Sequence, residues 1–198
     1  AIVALRSAEG ISKIADMLFT DREAFARSQS GPRAFGILLD SDDEPAEKRL
    51  GELRKVLEGL DLRAPDRLAT MSDGDPGVGV FAIPEPGVEG TLEDLLLMIG
   101  EASFPDLTAS ARAYAEGWRT KAQTELKGPD WKAIKKPAGG KKAAIGAMTA
   151  VLKPGYSAQV SIEQNEWLGE RAQKLPGLKP CIDFLEVLLT SAQPPATE

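Results

Sequence analysis

The stretch Ala34-Phe35-Gly36-Ile37-Leu38-Leu39-Asp40-Ser41-Asp42-Asp43 decides how this chain is read. An unbroken apolar run stops abruptly at an aspartate. Such a run is short for a helix, and an amphipathic segment follows it, so it reads as a central strand of a parallel sheet. The segment from Glu44 to Leu60 places Leu50, Leu53, Val56, Leu57 and Leu60 on one helical face, with Pro45 near the first turn, where proline is tolerated.

Working outward, Ile2 to Leu5 reads as a short buried strand and Ile11 to Phe25 as a helix. Downstream, Val78 to Ile83 is another apolar strand, ended by Pro84-Glu85-Pro86-Gly87, and Thr91 opens a helix over Leu92 to Ile99. Strand and helix thus alternate three times, which implies parallel strands joined by crossovers. Ligands in such sheets bind outside the carboxyl ends of the strands. The acidic clusters Asp40 to Asp43 and Glu85 to Asp94 both follow strands, and both are expected at one edge of the sheet.

After Phe104 the character changes. Asp106 to Thr124 reads as a long helix, Lys127 to Lys142 as a basic loop, Ala143 to Leu152 as a short helix, and Cys181 to Leu189 as a last apolar helix packed on the sheet. The expected organisation is an α/β core over 1–103, a helical extension over 104–192 packed on it, and a disordered tail at 193–198.

Composition narrows the chemistry. The chain has 198 residues, no histidine and one cysteine, Cys181. Histidine-based triads, histidine zinc sites and an internal disulfide are therefore excluded, and Cys181 reads as a small core residue. No apolar run approaches the roughly 18 residues that a membrane-spanning helix needs, no secretory signal is legible, and a cytoplasmic setting fits. Net charge is −6, yet Arg119 to Lys153 carries nine positive residues against Glu125 and Asp130. That segment is either a solvated basic face or a surface that contacts phosphate.

Asp40 and Asp42 point the same way in a strand-like continuation, because alternate residues share a face. Two such carboxylates repel one another until a hard cation such as Mg²⁺ bridges them. The alternative is that Asp42 or Asp43 caps the helix that follows. Glu93 and Asp94 after Thr91 also have two readings: further metal-holding acids, or an ordinary acidic first turn of a helix.

With those residues in place, the chain resembles the Toprim superfamily through FGILLDSDDEP, VGVFAIPEPGVEGTLEDLLL, KKAAIGAMTAVLKPG and CIDFLEVLL, together spanning about Ala34 to Leu189. It is most similar to an uncharacterised prokaryotic Toprim-like family annotated only as a domain of unknown function, and more distantly to the overcoming-lysogenization-defect nucleases. The resemblance implies a Toprim-like, Rossmann-like parallel sheet flanked by helices, with a mainly helical C-terminal part. It implies Mg²⁺ or Mn²⁺ held by Asp40 and Asp42, with Glu93 and Asp94 as further acids. It implies Lys141 or Lys142 as a cation that contacts phosphate or steadies developing charge. Toprim strands normally place Glu-Gly at the end of the first strand. Only one helix fits between Glu9-Gly10 and Asp40, so Ala1 to Leu5 reads as the second Toprim strand, with the motif glutamate upstream of this sequence, absent from a degenerate site or, alternatively, at Glu9.

The expected function is metal-dependent phosphodiester hydrolysis of nucleic acid, with Lys132, Lys135 and Lys136 tracking phosphates and an ATPase as a conceivable protein partner. The alternative is a catalytically inactive Toprim-like module that binds or regulates. Tyr114 and Tyr156 read as packing residues, which argues against a topoisomerase.

Overall fold

The computed structural model describes residues 10–26, 33–41, 44–125 and 130–192. The expected strand at Ile2 to Leu5, Glu9 and the tail 193–198 lie outside the described residues. The chain forms two compact units, one of residues 1–89 with 180–198 and one of residues 90–179. The division falls at Gly90, upstream of the change in composition at Phe104 from which the domains were read.

The first unit is a mixed α/β arrangement. Helix α1 (Ile11–Ala26) precedes strand β1 (Ala34–Asp40), helix α2 (Ala46–Gly59) and strand β2 (Gly77–Ile83). The two strands pair in parallel, with Ile37 opposite Val80 and Asp40 opposite Ile83. Parallel pairing follows from α2 carrying the chain back before β2 begins. Alternation sorts the side chains. Ile37, Leu39, Val78 and Val80 turn to one face and join Ile14 and Leu18 of α1 and Leu50, Leu53 and Leu57 of α2 in one buried cluster.

The opposite face meets the last helix, α9 (Lys179–Ser191), as the apolar pattern of Cys181 to Leu189 leads one to expect. Phe184 stacks on Phe81 with ring centroids 5.4 Å apart. Gly79 lets this ring approach, since a Cβ there would meet Phe184 at 2.8 Å. Cys181 is buried on α9, in keeping with a core role, and that burial pushes its thiol above the ordinary range.

The second unit is helical: α3 (Leu92–Ser103), α4 (Pro105–Glu125), α5 (Asp130–Lys135), α6 (Pro137–Leu152), α7 (Ala158–Gln164) and α8 (Glu170–Gln173). The basic stretch from Lys127 to Lys142 is not a loop as expected. Its described part is α5 and the start of α6, with Pro137 in the first turn, where a missing N–H costs nothing. The glycine pair that suggested a loop serves packing instead. A Cβ on Gly139 would collide with the Ala133 carbonyl oxygen, and one on Gly140 would lie 2.7 Å from Arg119 Cδ. Tyr114 and Tyr156 are not packed inside as expected, being 58% and 60% exposed. No helix among the described residues is long and apolar enough to cross a membrane.

Candidate functional site

Asp40 is the last residue of β1, at the carboxyl end of the parallel pair, and its side chain is exposed. The next residue turns the other way. Ser41 is 1% exposed, and its Oγ has no hydrogen-bond partner among the described residues. The backbone pins this strand end. Ser41 N–H donates to the Ile83 carbonyl at 3.1 Å, and Glu44 N–H donates to the Ser41 carbonyl at 3.1 Å. Asp40 thus ends the strand beside a residue whose backbone is tied to β2. Asp42 and Asp43 lie outside the described residues. The residue that caps α2 is Pro45, with no side-chain hydrogen bond at the cap. Glu44 is engaged on the far side of the turn by Lys48 at 2.6 Å and Arg49 at 3.6 Å, and the Lys48 hydrogen bond holds its carboxyl below the ordinary range.

Of the second acidic cluster, Glu93 and Asp94 lie in the other unit and follow two turns that need glycine, Gly87 at φ 83° and Gly90 at φ 152°. Thr91 caps α3 in extended geometry, and Asp94 answers it from the third helical position as a capping box. Asp94 Oδ2 accepts from Thr91 N–H at 3.0 Å and from Thr91 Oγ1 at 3.3 Å. The same oxygen accepts from Lys141 Nζ at 2.6 Å. One residue earlier, Glu93 is 3.7 Å from Lys142 Nζ. Burial pushes the Asp94 carboxyl up, but the Lys141 ammonium and the two Thr91 donors outweigh it and hold Asp94 below its usual value.

Four residues singled out in the sequence, Glu93, Asp94, Lys141 and Lys142, are thus brought together as two carboxylate–ammonium pairs between the first turn of α3 and the N-terminal half of α6. Among the described residues no group of three acidic or cysteine side chains stands close enough to hold a cation. The donor chemistry at the strand end is still of the right kind. An outward carboxylate, two positions before the second carboxylate of the Asp-x-Asp, is a hard oxygen donor of the kind that Mg²⁺ and Mn²⁺ take.

Lys132, Lys135 and Lys136 are exposed on α5 and at the cap of α6. Two of them flank an aromatic ring that the sequence reading passed over. Lys132 and Lys135 place their ammonium groups 5.8 and 5.4 Å from the centre of the Trp131 ring. Part of the signal was available, since a lysine four positions after a tryptophan lies beside it on a helix. The inward turn of Ser41 was legible from the alternation that sent Asp40 outward.

The chain belongs to the family described as "Protein of unknown function (DUF3226)", whose model matches residues 1–190. No curated protein and no solved structure matches it.

Proposed function

We propose that this member of the family is a Toprim-like, divalent-metal-dependent enzyme that hydrolyses phosphodiester bonds in nucleic acid. The observation that supports it most is Asp40, exposed at the carboxyl end of a parallel strand and held there by the Ser41–Ile83 backbone bond. Asp40 and Asp42 would hold the metal. When bound, Mg²⁺ or Mn²⁺ would neutralise phosphate charge and make a water molecule more acidic. In this reading Asp94 serves as a positioning residue. Its Oδ2 is committed to Thr91 and Lys141, so it would orient an ammonium group for a phosphate oxygen. Lys142, 67% exposed, is the more exposed of the two cations and is suited to a phosphate at the surface.

A second reading has its own support. The pairing of Asp94 with Lys141 and of Glu93 with Lys142 neutralises the charges that chemistry would use. A catalytically inactive module that kept the fold would look the same. Calorimetric titration with Mn²⁺ separates the two. The enzyme reading expects saturable binding in the wild type that is lost in Asp40→Asn. Binding unchanged by that substitution, or no binding at all, favours the inactive module.

A further inference from the structure

The corner formed by α4, α5 and α6 in the second unit has a composition that metal chemistry does not use. Trp131 is half-buried, with the Lys132 and Lys135 ammonium groups over its ring. Lys136 follows, exposed, at the cap of α6. Beside them is a shallow, open hollow of ≈ 170 Å³ lined by Glu116, Arg119, Thr120 and Lys135. Arg119 is drawn into this corner by close packing at Gly140. Its Nη1 pairs with Glu116 at 2.9 Å, while its Nε is shielded and has no hydrogen-bond partner among the described residues. A shielded guanidinium N–H without a partner is costly unless an acceptor arrives. The chain as a whole is acidic at −6, so the concentration of cations around one aromatic ring is local.

Phosphate alone would need only the lysines and the arginine. The tryptophan adds a planar apolar surface on which a base can stack, once the two ammonium groups move from the ring to phosphate oxygens. A base inside a duplex does not offer its face, whereas an unpaired base does. We propose that this corner binds single-stranded nucleic acid, with a base stacked on Trp131 and the backbone phosphates on Arg119, Lys132 and Lys136. This deepens the reading of the protein as a nucleic-acid enzyme by assigning it an unpaired strand, but the surface does not depend on catalysis.

The test is fluorescence anisotropy in EDTA, with labelled oligo-dT and oligo-rU of roughly 12 nucleotides, a duplex of equal length, and poly-glutamate as competitor. The expected result is tighter binding of the single strands than of the duplex, failure of poly-glutamate to compete, and progressive weakening as salt rises. Trp131→Ala is expected to weaken binding about tenfold, with Trp131→Phe restoring most of it. Lys132→Ala with Lys136→Ala, two exposed positions that spare the fold, is expected to weaken binding and to flatten its salt dependence. The proposal is overturned if no single strand binds, if the duplex or poly-glutamate binds as well, or if a folded Trp131→Ala binds unchanged. Because EDTA removes the metal, binding without any cleavage in Mg²⁺ would keep this surface and remove the catalytic reading. Cleavage without binding here would do the reverse.

Discussion

Lys141 Nζ stands 2.6 Å from Asp94 Oδ2 across 47 residues of sequence, and that same oxygen closes the cap of α3. One carboxylate thus ties the start of one helix to a neighbouring helix. The pair is about one third exposed on both sides, so solvent screens its Coulomb energy and the cap carries most of its worth. Asp94→Ala is expected to destabilise the protein by about 1 to 2 kcal/mol, since it removes both the cap and the pair. Lys141→Met, which keeps the cap, is expected to cost under about 1 kcal/mol. Urea denaturation of both variants measures the difference. Equal losses would mean that the ion pair, and not the cap, holds α3.

The depressed Asp94 carboxyl makes a signed prediction for pH. Its folded value lies below the ordinary 3.8, so its contribution is present above that value and lost as pH falls through the lower folded value. Wild-type stability is expected to fall more steeply than that of Asp94→Asn between about pH 5 and pH 2. Thermal melts of both proteins across that range check this, and parallel curves would show that Asp94 is not held by Lys141 and Thr91 in solution.

Gly139 packs against a backbone oxygen, which cannot step aside as a flexible side chain could. Gly139→Ala would set a Cβ against the Ala133 carbonyl oxygen and force α5 and α6 apart. The expected cost is about 1 to 3 kcal/mol despite the better helix propensity of alanine. Gly146 also lies in α6, and a Cβ there would meet nothing within 4 Å, so Gly146→Ala is the control and is expected to be neutral or stabilising. A chemical denaturation pair that ranked them the other way would contradict the packing described here.

Ser41 makes the opposite case. Its hydroxyl is buried without a partner among the described residues, so Ser41→Ala removes an unsatisfied group and little packing. It is expected to leave stability unchanged or to raise it by up to about 1 kcal/mol, as read by thermal melting. A loss beyond that would mean that the hydroxyl has an acceptor in solution.

Much of the first unit was legible in the sequence because its signals are periodic. The alternation of Ile37 and Leu39 in β1 and the spacing of Leu50, Leu53 and Leu57 in α2 each mark one buried face. The capping box at Thr91 was legible too, as threonine followed three residues later by an acid. The helical start of α6 was not. Pro137, Gly139 and Gly140 carry the letters of a turn, and only the tight approach to Ala133 and Arg119 explains why glycine stands inside a helix. The partners of Glu93 and Asp94 were equally hidden. Acids in a first turn of a helix look alike whether they meet solvent, metal or lysine, and the ion pairs with α6 depend on tertiary packing.

If Asp40 belongs to a metal-dependent hydrolytic site, nucleic acid is cut only while that carboxylate and a divalent metal are both present. The most direct measurement is cleavage of labelled single-stranded and duplex nucleic acids by the purified protein with Mg²⁺ or Mn²⁺, comparing wild type with Asp40→Asn and with added EDTA. The account predicts metal-dependent cleavage that is lost in EDTA and in Asp40→Asn, with the variant still folded. Cleavage retained in a folded Asp40→Asn, or no cleavage by wild type in either metal, would contradict it.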